Sequence, residues 1–101
     1  MNANMRILFF QNHHHLNYWF IKIHEYLKKV YPDLIWDFER NRIIRFGTQV
    51  WIFMVYEDGR IIGHSRRGWP TYINTEYLLE HNFEQTMIDI LKGERQWKTL
   101  M

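Results

Sequence analysis

Val50 to Pro70 reads VWIFMVYEDGRIIGHSRRGWP. Two runs rich in β-branched and aromatic residues flank Asp58-Gly59, a pair suited to a type I′ turn because both central positions need positive φ. The spacing predicts a β-hairpin. Its register sets Glu57 opposite Arg60, Val55 opposite Ile62, Phe53 opposite His64 and Trp51 opposite Arg66. One side of the ribbon then carries Ile52, Met54 and Ile61, and this is the expected core face. The other carries Trp51, Phe53, His64 and Arg66, a mixed aromatic and basic surface. Arg60, Arg67 and Trp69 extend it into the RRGWPT loop. Trp and Arg are residue types that concentrate binding energy at interfaces. The seven residues Trp51, Phe53, Arg60, His64, Arg66, Arg67 and Trp69 are therefore the candidate partner-binding surface.

Upstream, Asn12 is a good helix N-cap. Leu16, Trp19, Phe20, Ile23, Leu27 and Val30 follow at helical spacing and form one apolar stripe. Tyr18 and Ile21 fall on the polar side of that helix, where a monomer has no use for them. They form a second candidate patch, suited to a homodimer. Pro32 stops the helix, since the residue before a proline is driven out of helical angles. Leu34 to Glu39 alternates as a half-buried strand, Arg40-Asn41 suits a tight turn, and Arg42 to Phe46 is a further strand. Gly47-Thr48 is a turn or a bulge. Met5 to Phe10 reads as a short strand whose place is not set.

Downstream, Asn74 or Thr75 opens a short helix to about His81. Asn82 with Gln85 resembles a capping box for a second helix carrying Phe83, Met87, Ile90 and Leu91, and Gly93 is its stop signal. The tail ERQWKTLM carries Trp97 and Leu100. The expected fold is a single α+β domain over residues 1–101. It is an antiparallel sheet of three to four strands, with an N-terminal amphipathic helix and C-terminal helices packed on one face. The order helix, strands, helix resembles that of double-stranded-RNA-binding domains, with Arg66-Arg67 where that family has a basic loop before its last helix. The resemblance stops there. TYINTEYLL is uncharged or acidic where that family is lysine-rich, so the likeness implies an element order and no function.

The composition narrows the function classes. The chain has 101 residues, 47% of them hydrophobic and 18% aromatic, which supplies enough large side chains for a core. No cysteine is present, which excludes disulfides and thiolate metal sites and suits a reducing cytoplasm. The apolar runs are too short for a signal peptide or a membrane span, so neither a leader nor a membrane partner is expected. Net charge is +2 but uneven. Arg40, Arg42, Arg45, Arg60, Arg66 and Arg67 outweigh Glu57 and Asp58. Glu76, Glu80, Glu84, Asp89 and Glu94 outweigh Lys92.

No catalytic constellation emerges. His13-His14-His15 points in different directions at a helix start, so the three do not converge on a metal. Asp33, Asp37 and Glu39 form a small acidic cluster, and Asp37 and Glu39 are expected to pair across strands with Arg42 and Arg45. Ser65 is the only serine and has no evident base. The reading is a small non-enzymatic binding protein without cofactor or metal, an inhibitor or adaptor of the mobile-element, phage-like type directed at a host or defence factor. Its expected partner is an acidic protein surface. RNA or DNA bound through the same hairpin face is the alternative, with bases stacking on aromatics and phosphates meeting arginine.

Overall fold

The computed structural model describes residues 4–38, 42–56 and 69–93. In chain order these form β1 (Met5–Phe10), α1 (His13–Val30), β2 (Ile35–Asp37), β3 (Arg42–Phe46), β4 (Gln49–Val55), β5 (Thr71–Tyr72), α2 (Thr75–His81) and α3 (Phe83–Lys92).

Local chemistry explains most of the boundaries. The Asn12 side chain accepts from the His15 N–H at 2.9 Å and starts α1. The Tyr31 N–H closes the helix on the Leu27 carbonyl, with Pro32 following. Asn82 repeats the capping device for α3, accepting from the Gln85 N–H at 3.2 Å. Gly93 ends α3 in the left-handed region, φ 78°. Gly47, φ 55°, makes the two-residue turn that joins β3 to β4, so this glycine is a turn and not a bulge.

The sheet corrects the expected architecture. The fold is α+β, but among the described residues the sheet has five strands in the order β2-β3-β4-β1-β5 and is mixed, not antiparallel. β2, β3 and β4 form an antiparallel meander. β1 then inserts between β4 and β5, parallel to both. The ladder is extended by Tyr56 N–H to the Phe10 carbonyl and Ile7 N–H to the Pro70 carbonyl. A central strand ahead of the first helix is foreign to the helix–strands–helix order that suggested the double-stranded-RNA-binding resemblance. Buried parallel strands are near-continuous apolar runs, and RILFF is such a run.

Register fixes which side chains share a face. Leu8 pairs with Phe53 and Tyr72, and Trp51 with Arg6 and Ile44. This face receives α1 through Leu16, Trp19, Phe20, Ile23 and Leu27, and the last two helices through Leu79, Met87 and Ile90, in one apolar cluster. Phe53 meets Phe20 edge-on at 4.8 Å and stacks on Phe10 at 5.8 Å. Trp51 is 0% exposed and Phe53 4%. The expected face assignment is therefore reversed: Trp51 and Phe53 lie beneath α1, while Ile52 and Met54 are half-buried on the opposite face.

The physical reason is that β4 is a central strand. At Trp51 and Phe53 one edge is taken by β1 and the other by β3, so neither residue has a ladder position left for a hairpin partner. A strand buried on both faces carries apolar residues on both, and alternation does not tell the helix-covered side. The largest rings go there because they remove the most apolar area from water. Ile7 and Phe9 are fully buried on the other face, with Phe9 stacked against Tyr56 at 6.0 Å.

Asp37 stands opposite Ile43, and Arg45 opposite Ile35. Arg42 donates instead to Asn17 Oδ1 at 2.9 Å and to the Phe38 carbonyl at 2.5 Å, and lies over the Phe38 ring. The direct cross-strand carboxylate–arginine pairing expected for Asp37 is thus not the observed register, and Glu39 lies outside the described residues. No helix among the described residues is long and apolar enough to cross a membrane.

Candidate functional site

The seven-residue hairpin surface is not assembled by the described residues. Trp51 and Phe53 are core. Trp69 is half-buried just ahead of β5, its carbonyl accepting from the Thr71 hydroxyl at 2.9 Å. Arg60, His64, Arg66, Arg67 and the Asp58-Gly59 turn lie outside the described residues, as do Arg40-Asn41, Trp97 and Leu100. Of the second patch, Tyr18 is 51% exposed and Ile21 43%.

Tyr18 leads to a concave feature. α1 crosses the sheet beside α2 and the start of α3, leaving a groove of about 750 Å³ lined by Tyr18, Trp19, Lys22, Glu25, Tyr26, Lys29, Leu79, Glu80 and Phe83. The spacing of Tyr18, Lys22 and Tyr26, then Glu25 and Lys29, is that of one helix flank. Leu79 and Phe83 supply the facing wall across the α2–α3 junction, where Asn82 is both the C-terminal cap of α2 and the N-terminal cap of α3.

The groove floor is aromatic. Trp19 meets Tyr18 edge-on at 5.1 Å and stacks on Phe83 at 6.4 Å, and Phe83 meets Tyr26 edge-on at 5.4 Å. Lys22 Nζ lies 5.4 Å from the centre of the Tyr18 ring, a cation–π contact worth about 0.5–1 kcal/mol at an exposed site. The lips differ in charge. α1 offers Lys22 and Lys29 with Glu25, and α2 offers Glu80.

The groove continues past Tyr18 and Trp19 into a smaller recess of about 190 Å³, lined also by His14, His15, Glu76 and Glu80. There the His15 imidazole meets the Glu76 carboxylate, whose second oxygen accepts from the Gln11 N–H at 2.6 Å. These contacts tie the start of α1 to the start of α2. Tyr56 lies nearby: burial first, and the Glu76 charge second, push its phenol up from the ordinary tyrosine value. His15 is thus drawn out of the histidine triplet as a tether. Among the described residues no three His, Asp or Glu side chains converge on a metal position.

No family model, curated protein or solved structure matches this chain. The chemistry must therefore be read from the groove itself. It can take an apolar or aromatic side chain against Trp19, Tyr26 and Phe83, hydrogen-bond through the Tyr18 phenol, and meet a carboxylate with Lys22 or Lys29.

Helical spacing marked Tyr18 as out of place on a polar flank. The other wall left no local signal. Phe83 reads as an ordinary core position of the last helix, and the His15–Glu76 contact joins residues separated by 61 positions.

Two arginines of the basic stretch are described. Arg42 is engaged as above, and Arg45 is exposed on β3. A third arginine, Arg6, is buried under α3.

Proposed function

We propose that this chain is a small non-enzymatic binding protein that occupies a partner protein's surface through the α1–α2–α3 groove. The observation that supports it is the exposed Tyr18 at the lip of an aromatic groove floored by Trp19, Tyr26 and Phe83. Rings already ordered by their neighbours lose little side-chain freedom on binding, and Trp and Tyr are over-represented among residues that dominate interface energy. Lys22 and Lys29 suit an acidic partner, one that offers an apolar anchor for the floor and carboxylates for the lip. An inhibitor or adaptor of the mobile-element type is the form of this function suggested by the small size and the unusual composition.

The test is capture from the native host with the tagged chain, reading both polypeptide and nucleic acid in the eluate. Tyr18→Ser and Lys22→Glu remove the groove contacts at solvent-exposed positions. Arg66→Glu with Arg67→Glu removes the arginines singled out in the sequence. A polypeptide held by wild type and the arginine variant, and weakened about tenfold or more by Tyr18→Ser, is the expected result. Equal capture by wild type and both groove variants rejects the groove. A nucleic-acid partner would instead weaken log-linearly with salt, with a slope near the number of phosphates neutralised.

A further inference from the structure

We infer that the occupant of the α1–α2–α3 groove is an amphipathic helix of a partner protein, laid along α1 with an acidic, basic, acidic row against Lys22, Glu25 and Lys29. This rests on the groove being the contact surface and adds what fills it. Tyr18, Lys22, Glu25 and Lys29 line the α1 side. Their steps of four, three and four residues are those of a seam between two helices packed at a shallow angle. The charges on this seam are not engaged elsewhere. Glu25, Lys29 and, across the groove, Glu80 are exposed and make no ion pair among the described residues. Lys22 meets the Tyr18 ring and no carboxylate among those residues.

Spacing and sign select the occupant. Along α1 the steps from Lys22 to Glu25 and from Glu25 to Lys29 are about 4.5 and 6 Å. A second helix repeats them with its own i+3 and i+4 positions. An extended strand returns to one face roughly every 6.6 Å and overshoots the same two steps by about 3 Å. The partner helix inserts its apolar face between Trp19 and Tyr26 on α1 and Leu79 and Phe83 opposite, the mode in which a groove reads a helix. A second copy of α1 does not fit. Antiparallel pairing sets Lys22 against Lys29 and Glu25 against Glu25, and parallel pairing sets each charge against itself. The row therefore asks for a foreign helix with a basic residue between two acidic ones, and Glu80 asks for a further basic residue on its other flank.

Fluorescence anisotropy of labelled synthetic peptides on the full chain reads the outcome. The probe is an alanine-based helical peptide with a leucine face and, on the adjoining flank, Glu, Lys and Glu at steps of three and four residues. Its control carries Lys, Glu and Lys there, with compensating charges on the far face so that both peptides have the same net charge. Wild type should bind the probe about tenfold more tightly than the control, and a proline at the probe's centre should abolish binding. Lys22→Glu, Glu25→Lys and Lys29→Glu together should invert the preference. The peptide pair on wild type needs no variant to fold. Equal affinity for the two charge orders, binding indifferent to the proline, or no binding of either peptide overturns the helix while leaving capture through Tyr18 intact. So does a wild type that sediments as a dimer and becomes monomeric on Tyr18→Ser, since a second copy then fills the groove. Probe binding that ignores Tyr18→Ser instead rejects the groove itself.

Discussion

Arg6 Nε donates to the Ile90 carbonyl at 2.7 Å, so the interior strand β1 holds the last turn of α3. Its Nη2 reaches the Leu91 carbonyl at 3.2 Å, and the Gln49 side chain donates to the same oxygen at 3.3 Å. Carbonyls at a helix C-terminus lack intrahelical partners and carry the negative end of the helix dipole, so a buried guanidinium there is doubly favourable. Burial draws the Arg6 pKa down, with the charge on Tyr72 acting the other way. Arg6→Met should destabilise by about 1.5–3 kcal/mol, because it removes the charge-assisted hydrogen bonds to the Ile90 and Leu91 carbonyls, which among the described residues keep only the Gly93 N–H and the Gln49 side chain as donors. Urea unfolding of the variant checks this.

Gly93 tests the same junction from the other side. Its φ of 78° disfavours any side chain, and an added Cβ would lie 3.1 Å from Arg6 Nη2. Gly93→Ala should cost about 1 kcal/mol or more, from the left-handed backbone and from displacement of Arg6. In the Arg6→Met background the loss should shrink towards the backbone part alone, which a double-mutant cycle measures.

Trp51 and Tyr18 should behave as opposites. Trp51→Phe keeps an aromatic ring but loses indole volume and the N–H donation to Gln49 at 2.8 Å, while Trp51→Ala should cost about 3–5 kcal/mol. Tyr18→Ala, at an exposed position, should stay within about 0.5 kcal/mol of wild type. Thermal unfolding of the two alanine variants separates the core tryptophan from the groove tyrosine.

His24 gives the fold a dependence on pH. Its ring stacks on Trp36, and Nε2 is buried without a hydrogen-bond partner among the described residues. Burial, then the Lys28 charge, hold its pKa below the ordinary histidine value, with Glu25 opposing. The unfolded chain therefore takes up a proton here more readily than the folded one. This contribution to stability is present above the unfolded value of about 6.5 and is lost as pH falls through the depressed folded value. His24→Phe should flatten the fall in stability between about pH 7 and pH 5, measured by urea unfolding across that range.

The local devices were legible because their causes are local. Asn12, Asn82 and Gly93 mark helix ends through backbone hydrogen bonds and one positive φ, and each does so in the structure. The stripe from Leu16 to Leu27 is buried as its spacing required, but Val30, its expected last member, is exposed at the helix end. The place of β1 was not legible, because parallel pairing with β4 and β5 joins segments far apart in the chain and leaves no turn signal between them. The same fact misled the reading of β4. With β1 on one edge and β3 on the other, both of its faces are apolar in sequence, and the face of Ile52 and Met54 was taken for the core in place of that of Trp51 and Phe53. The aromatic richness is explained by ring contacts such as Phe20–Phe53 and Phe46–Trp51 between helix and sheet and within it. Half of the groove was readable as a misplaced Tyr18. The other half needed the α2–α3 junction to bring Phe83 against Trp19.

The placement of β1 inside the sheet, between β4 and β5, governs the rest, since it fills the helix-covered face and leaves exposed the outer flank of α1, the surface proposed for recognition. Amide hydrogen exchange measures it without any partner. The amides of Ile7 to Phe10 should exchange among the slowest in the chain, matching those of Trp51 to Val55. Rapid exchange across Ile7 to Phe10, with protection confined to the β2–β3–β4 meander, would contradict the account.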